Sequence, residues 1–301
     1  MDTATILLIA MLLDAIFGEP KWLWDRVAHP AVLMGKIIGW ADQRLNNGNA
    51  RAKGIVVLVA LVLGGWWIGG IIEWFGALPT VLLAAILIAQ KSLVDHVKAV
   101  GQALRRSVSE GQIEVAKIVG RDTKEMSEPE VARAAIESAA ENLSDGVNAP
   151  VFWFLIAGLP GLLVYKAVNT ADSMIGYKNE KYEDFGWASA RFDDLLNWIP
   201  ARLTAFLIML SKADFTFGAS LREDAQLHRS PNAGWPEAAM ARVLDIALSG
   251  PRSYDGEMRE FPYVNEFGRR TIGANDIDQA TAILWRSWAI MLAAVVVIAL
   301  I

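Results

Sequence analysis

The chain contains no cysteine, which excludes disulfides, thiolate catalysis and cysteine-bound zinc or iron–sulfur centres. It has three histidines, His29, His96 and His228, too scattered to read as a metal cluster. Neither G-x-x-x-x-G-K-[ST] nor G-x-G-x-x-G occurs, so a nucleotide site of those common types is excluded. Basic charge is not in excess. The 28 Lys and Arg stand against 33 Asp and Glu, giving a net charge of −5, and we expect no nucleic-acid partner. The opening MDTATILLIAMLLDAIFG lacks the basic n-region and cleavage site of a secretory signal and reads as a retained segment. No internal repeat, low-complexity tract, flexible linker or strand alternation is visible, so a single domain over residues 1–301 is expected.

What is abundant is apolar. Hydrophobic residues make up 54% of the chain, with 12 tryptophans and a mean hydropathy of +0.32. This composition predicts an all-α, polytopic integral membrane protein in a lipid bilayer, with cytoplasmic helical loops and re-entrant or broken helices. Its hydrophobic segments fall near residues 4–17, 54–72, 77–94, 151–168, 199–211 and 285–301. Segment 54–72 has about the 20 residues needed to span a membrane. Segment 151–168 is broken by Gly158-Leu159-Pro160-Gly161 into halves of about 12 Å at helical rise, which suits a re-entrant hairpin better than a straight span. The connectors 21–53 and 91–126 are basic, and the positive-inside rule puts both in the cytoplasm. Residues 220–281 are polar and rich in turn signals.

Chemistry concentrates in SEPEVARAAIESAAENLSDGVNAP, residues 127–150, and in NTADSMIGY, residues 169–177. Ser127 with Glu130 reads as a capping box, and Pro129 sits in the first turn where its missing N–H does no harm. Helical spacing puts Glu130, Arg133, Glu137, Glu141 and Ser144 on one face and Val131, Ala134, Ala135, Ser138 and Ala139 on the other. Asp145-Gly146 reads as a stop. Carboxylates and amides at helix ends with nearby cations are what a Mg²⁺–nucleotide site needs. Glu137, Glu141, Asp145 and Asp172 are the candidate catalytic carboxylates, and Glu141, Asp145 and Asp172 the candidate metal ligands. Arg133 with Glu137 is equally well read as a surface ion pair. His228-Arg229-Ser230-Pro231-Asn232 offers a cationic group and amide donors for a phosphate or propionate, or is a solvated turn.

Five stretches carry a resemblance over nearly the whole chain: LDAIFGEP (13–20), HPAVLMGKIIGW (29–40), GRDTKEMSEPEVARAAIESAAENLSDGVNAPVFW (120–153), VNTADSMIGYKNEKYEDFGWASARFDDLLNWIPARL (168–203) and HRSPNAGWPEAAMA (228–241). Together they resemble the cobinamide-phosphate synthase family of cobalamin biosynthesis, CbiB or CobD; Asn148 stands where that family frequently has an apolar residue. The resemblance implies ATP-dependent condensation of adenosylcobyric acid with (R)-1-aminopropan-2-ol or its O-phosphate, forming an amide on one ring propionate. ATP and Mg²⁺ are the implied cofactors, and the corrinoid and the amine the implied partners. Association with other membrane enzymes of cobalamin assembly would follow the same resemblance. Given that reaction, Arg121, Arg133, Asn142, Asn169, Lys178, Arg191, His228 and Asn232 are the expected phosphate and substrate contacts. The active site is expected to face the cytoplasm from a multi-pass position in the cell membrane. The competing class is a transporter or a corrinoid-binding membrane protein without ligase chemistry, in which the broken segment would line a substrate path.

Overall fold

A computed structural model describes residues 1–214, 218–254 and 256–301, with only the backbone of Lys21. The loop read over 220–281 includes Asp255, which lies outside the described residues. In chain order the helices begin with α1 (Thr3–Phe17), α2 (Lys21–Trp24), α3 (Pro30–Leu45), α4 (Ala50–Trp74) and α5 (Ala77–Leu87). Next come α6 (Gln90–Arg106), α7 (Val108–Val115), α8 (Glu128–Asn142) and, beyond a π-helical turn (Leu143–Asn148), α9 (Ala149–Ile175). The last are α10 (Trp187–Leu196), α11 (Trp198–Leu210), α12 (Ala219–Gln226), α13 (Gly234–Leu244) and α14 (Ala274–Leu300). Among the described residues, four helical runs are long and apolar enough to cross a bilayer: Ala50–Trp74, Ala77–Arg106, Glu128–Ile175 and Ala274–Leu300. The α-helical membrane class read from composition is therefore the one observed, with a few very short strands beside the helices.

The chain forms two compact units, residues 1–89 with 149–198 and 294–301, and residues 90–148 with 199–293. In the first, α4 and α9 pack with their backbones nearly touching. A Cβ on Gly69 would lie 2.5 Å from the Cα and N of Pro160, and one on Gly65 would lie 3.1 Å from Val164 N. The apolar break in α9 is a real reversal. Ala157 and Gly158 leave helical geometry, Gly158 at φ 62° and ψ −156°. A Cβ on Gly161 would lie 2.5 Å from the carbonyl of Trp153, although eight residues of straight helix would separate them by about 12 Å. The segment is thus a helical hairpin, as its broken run suggested. The return arm starts at Leu159, whose N–H donates to Glu73 Oε1 at 2.7 Å, so a carboxylate satisfies one orphan donor of that helix end.

In the second unit α8 is central, and every residue from Val131 to Ala140 is buried. The Glu130 carboxylate accepts from the Ser127 N–H at 2.7 Å, so the helix begins as its capping box requires. Two readings need correction here. Asp145-Gly146 does not stop the helix, because the chain passes through the π turn Leu143–Asn148 and continues as α9. The face of Arg133 and Glu137 is not solvated, since both are buried against the segment that follows α13. That segment pairs β1 (Leu248–Ser249) with β4 (Tyr263–Val264), and β2 (Arg252–Tyr254) with β3 (Glu257–Arg259), all antiparallel. Strands of two or three residues are too short to leave an alternation in the sequence. Asn148 is fully buried and donates to Thr204 Oγ1 at 2.9 Å, which gives its polar amide a partner inside the unit.

Candidate functional site

The second unit gathers charge around Glu137. Its Oε2 accepts from Arg121 Nη2 at 2.8 Å and from Arg252 Nη1 at 3.3 Å, and its Oε1 accepts from the Ser249 N–H at 2.7 Å. Arg252 Nη2 also donates to Ser249 Oγ at 2.7 Å. One carboxylate on α8 therefore ties the 121 turn and the β1–β2 turn together. The surface pair expected between Arg133 and Glu137 is replaced by this buried one. Arg133 instead lies over the ring of Tyr263 at 5.3 Å, and Arg252 over Phe261 at 4.7 Å, contacts that hold a planar guanidinium in one orientation.

These side chains wall a cavity of about 580 Å³ that is lined by Arg121, Lys124, Arg133, Ser249, Arg252 and Met258 among others. Arg121, Arg133 and Arg252 each bury an Nε–H with no hydrogen-bond partner among the described residues. The wall also carries the acidic residues Asp122, Glu125 and Glu130, of which the first and last are committed elsewhere. Asp122 accepts from Ser253 Oγ at 2.8 Å and from the Gly256 N–H at 2.7 Å, and Glu130 is held at the start of α8.

Near Glu137 lies a second buried carboxyl, Glu237, only 5% exposed. Burial drives it well above the usual carboxylate range; the charge of Glu137 adds to this and Arg252 opposes it. His228 Nδ1 accepts from the Ser230 N–H at 3.0 Å, and its Nε2 faces Glu237 Oε2 at 3.7 Å. Burial pulls this imidazole below its ordinary value, helped by Arg252. A neutral imidazole with Nδ1 accepting carries its proton on Nε2.

The first unit holds its own polar group. Asp193 is 8% exposed and accepts from Asn197 Nδ2 at 3.0 Å and Asn169 Nδ2 at 3.3 Å. Asn197 Oδ1 in turn accepts from Tyr165 Oη at 3.0 Å. Burial pushes the Asp193 carboxyl up to about 7, with the charge of Asp172 adding to the shift. Asp194 is raised by burial against the pull of Arg191 and Lys178, and Arg191 pairs with it at 3.4 Å.

Of the expected site residues, Arg121, Arg133, Glu137, Glu141, Asn142, Asp145, His228 and Asn232 belong to the second unit, and Asn169, Asp172, Lys178 and Arg191 to the first. Asn142 Nδ2 caps back onto the carbonyl of Ser138 at 2.9 Å, and Asn232 Oδ1 accepts from Arg202 Nη1 at 2.6 Å. Glu141 is exposed and Asp145 half-buried. Among the described residues, no group of three or more His, Asp or Glu is arranged to hold a metal ion. Residues missed by sequence reasoning are Arg252, Ser249, Glu237 and Asp193. Asp193 and Glu237 each lie in a stretch that carries the family resemblance, residues 168–203 and 228–241; Ser249 and Arg252 left no signal.

Comparison with known proteins decides the family. Residues 7–284 match the family described as CobD/Cbib protein. The chain belongs to the CobD/Cbib family. It is 46% identical to the cobalamin biosynthesis protein CobD of Brucella anthropi, over 98% of this chain and 97% of that one. Identity to the CobD of Sinorhizobium fredii is 47% over 98% and 96%, and to that of Halalkalibacterium halodurans 42% over 92% and 91%. No solved structure matches the chain. The CobD/Cbib match takes in both the arginine-walled cavity and the Asp193 network.

Proposed function

We propose that this protein, with the role in cobalamin biosynthesis that its family supports, is an ATP-dependent amide ligase, an adenosylcobinamide-phosphate synthase. It would join adenosylcobyric acid to (R)-1-aminopropan-2-ol or its O-phosphate. The observation that carries the chemistry is the cavity walled by Arg121, Arg133 and Arg252. A carboxylate does not condense with an amine at neutral pH until one of its oxygens becomes part of a leaving group. Transfer of the γ-phosphoryl group to the propionate releases ADP and forms an acyl phosphate. The neutral amine then attacks the acyl carbon, the C–O bond to phosphate breaks, and the nitrogen loses a proton to a base.

Arginines serve the first step by neutralising the charge spread over the transferring group. Glu137, held between Arg121 and Arg252, suits ordering those arginines. The proton-acceptor role then belongs to Glu141, Asp145 or Asp172. Mg²⁺ carried on the phosphates keeps several waters and needs only one or two protein carboxylates, for which the same three residues are the candidates. Asn142, His228 and Asn232 are proposed contacts within the second unit; Asn169, Lys178 and Arg191 are a separate proposed set within the first. The proposed location is the cell membrane, with the chemistry on the cytoplasmic side where ATP is.

With ¹⁸O in the substrate carboxylate and purified protein, the products should be ADP and inorganic phosphate carrying one labelled oxygen. Label in AMP would sink the acyl-phosphate route, and the absence of any amide product would sink the ligase reading.

A further inference from the structure

We infer that α3 is an interfacial helix that docks the first unit on anionic lipid. Its outer face lies among the headgroups of the leaflet from which α4 enters the bilayer, and Lys36 and Arg44 attract acidic headgroups there. This goes beyond the ligase reading and does not depend on it.

α3 has two unlike faces. Ile38 and Ala41 are buried and belong to one packed cluster with Val57 of α4 and with Ala171 and Ile175 of α9. On the opposite side Leu33, Ile37 and Trp40 recur after four and three residues, so they form one stripe. They are 49%, 57% and 57% exposed, and a row of large apolar side chains on a folded surface calls for a cover other than water. The other exposed positions of this helix are Val32, Lys36, Gln43 and Arg44. The outer face therefore carries two cations and no carboxylate. The one acidic residue of α3, Asp42, is turned the other way and accepts from Lys181 Nζ at 2.9 Å.

Position along the chain sets the depth. α3 lies between the apolar segments 4–17 and 54–72, and Leu45 stands five residues before Ala50, a reach of at most about 18 Å even when extended. Val57, in the cluster beneath α3, is about 4.5 Å of helical rise beyond Gly54, where the apolar run of α4 begins. The inner face of α3 thus meets α4 just inside the bilayer edge. Interfacial helices lie at this level, with their apolar face about 5–10 Å into the boundary between headgroups and acyl chains.

Charge selects the lipid. Residues 21–53 hold six basic residues against two acidic ones in a chain of net charge −5, so the positive charge is local to this connector. Acidic headgroups attract such a segment, whereas a zwitterionic surface gains only from the apolar stripe. A second copy of the chain is the competing cover. Isologous pairing of two α3 faces would gather four cations and no carboxylate, an arrangement that repels.

The full chain, which has no native cysteine, is reconstituted in nanodiscs of phosphatidylcholine alone or of an equal mixture with phosphatidylglycerol. It is spin-labelled at Ile37→Cys or, as a reference, at the exposed position Glu180→Cys. The label at position 37 should be relaxed by oxygen and shielded from a water-soluble nickel chelate, the reverse of position 180. Phosphatidylglycerol should raise the wild-type melting point by about 2 °C or more, and raised salt should shrink that gain. Lys36→Gln combined with Arg44→Gln should abolish most of the gain while melting with wild type in phosphatidylcholine, and Lys36→Arg combined with Arg44→Lys should keep it. If a double variant does not fold, Lys36→Gln alone should lose about half of the gain. The inference is overturned if position 37 is as open to nickel as position 180, or if the gain survives the Gln substitutions. Spin–spin broadening at position 37 that dilution with unlabelled chain removes would place a second copy on the stripe and overturn it equally. Each readout is independent of amide synthesis, so the ligase reading stands or falls on its own ¹⁸O experiment.

Discussion

At the scale of single residues, buried charge is the dominant fact. Glu137 accepts from two arginines and a backbone N–H, so Glu137→Ala strands Arg121 and Arg252 together. Breaking such a buried pair costs about 3–5 kcal/mol, to be read from the denaturation midpoint of the purified protein. If Glu137→Ala unfolds within about 1 kcal/mol of wild type, the pair is solvated and not the organiser described here. Asp193 makes stability depend on pH. Burial and the Asp172 charge raise its folded carboxyl from 3.8 to about 7. The folded chain therefore keeps a proton that the unfolded chain releases. That contribution is fully present below about pH 4 and is lost as pH rises through 7. Asp193→Asn should thus melt progressively higher relative to wild type as the buffer moves from pH 5 to pH 8, and a constant difference would contradict the assignment. In turnover, Glu141→Gln and Asp145→Asn should each lower the rate by about tenfold or more while leaving the melting point in place, as expected when a general acid–base or ligand role is removed. Unchanged turnover with a lowered melting point would make them structural.

At the scale of elements, two glycines decide how the first unit closes. Gly69 lets α4 approach the Pro160 backbone, where a methyl group would lie 2.5 Å away. Gly69→Ala should therefore destabilise by about 1–3 kcal/mol through overpacking, whereas Gly70→Ala, with nothing within 4 Å of the added carbon, should be neutral or slightly stabilising. Equal melting of the two variants would mean that the α4–α9 approach is looser than described. Gly158 occupies a φ/ψ region essentially closed to other residues, and it permits the reversal that turns one apolar run into a hairpin. The sequence shows this break plainly, because Gly and Pro announce backbone geometry locally. It does not show that Asp145-Gly146 passes through a π turn, since whether a glycine ends a helix or is carried through it depends on what the next turn packs against.

At the scale of the whole molecule, the absence of cysteine makes topology directly measurable, because any introduced cysteine is the sole thiol. Cysteines placed singly near Lys181 and Asn232, at the exposed positions Lys181 and Arg229, should be blocked by a membrane-permeant maleimide and untouched by an impermeant one applied outside the cell. Labelling of either from outside would contradict a cytoplasmic site. The basic connectors motivate this expectation.

Much of this architecture is legible in the sequence. Apolar run length determines which segments enter a bilayer, and the capping box at Ser127 and the Gly158–Gly161 break mark where helices start and turn, because each is a property of a few neighbouring residues. The motif stretches placed the chain in its family for the same reason. Tertiary structure alone decided which charges meet. Arg133 and Glu137 are neighbours on one helix and would pair if solvated, yet Glu137 is taken by Arg121 and Arg252 from elsewhere in the chain. Arg252 and Ser249 carry no local signature, since a side chain becomes a cavity wall through what folds over it. Desolvation, which sets the state of Asp193 and Glu237, depends on segments distant in sequence and so is written only in the folded chain.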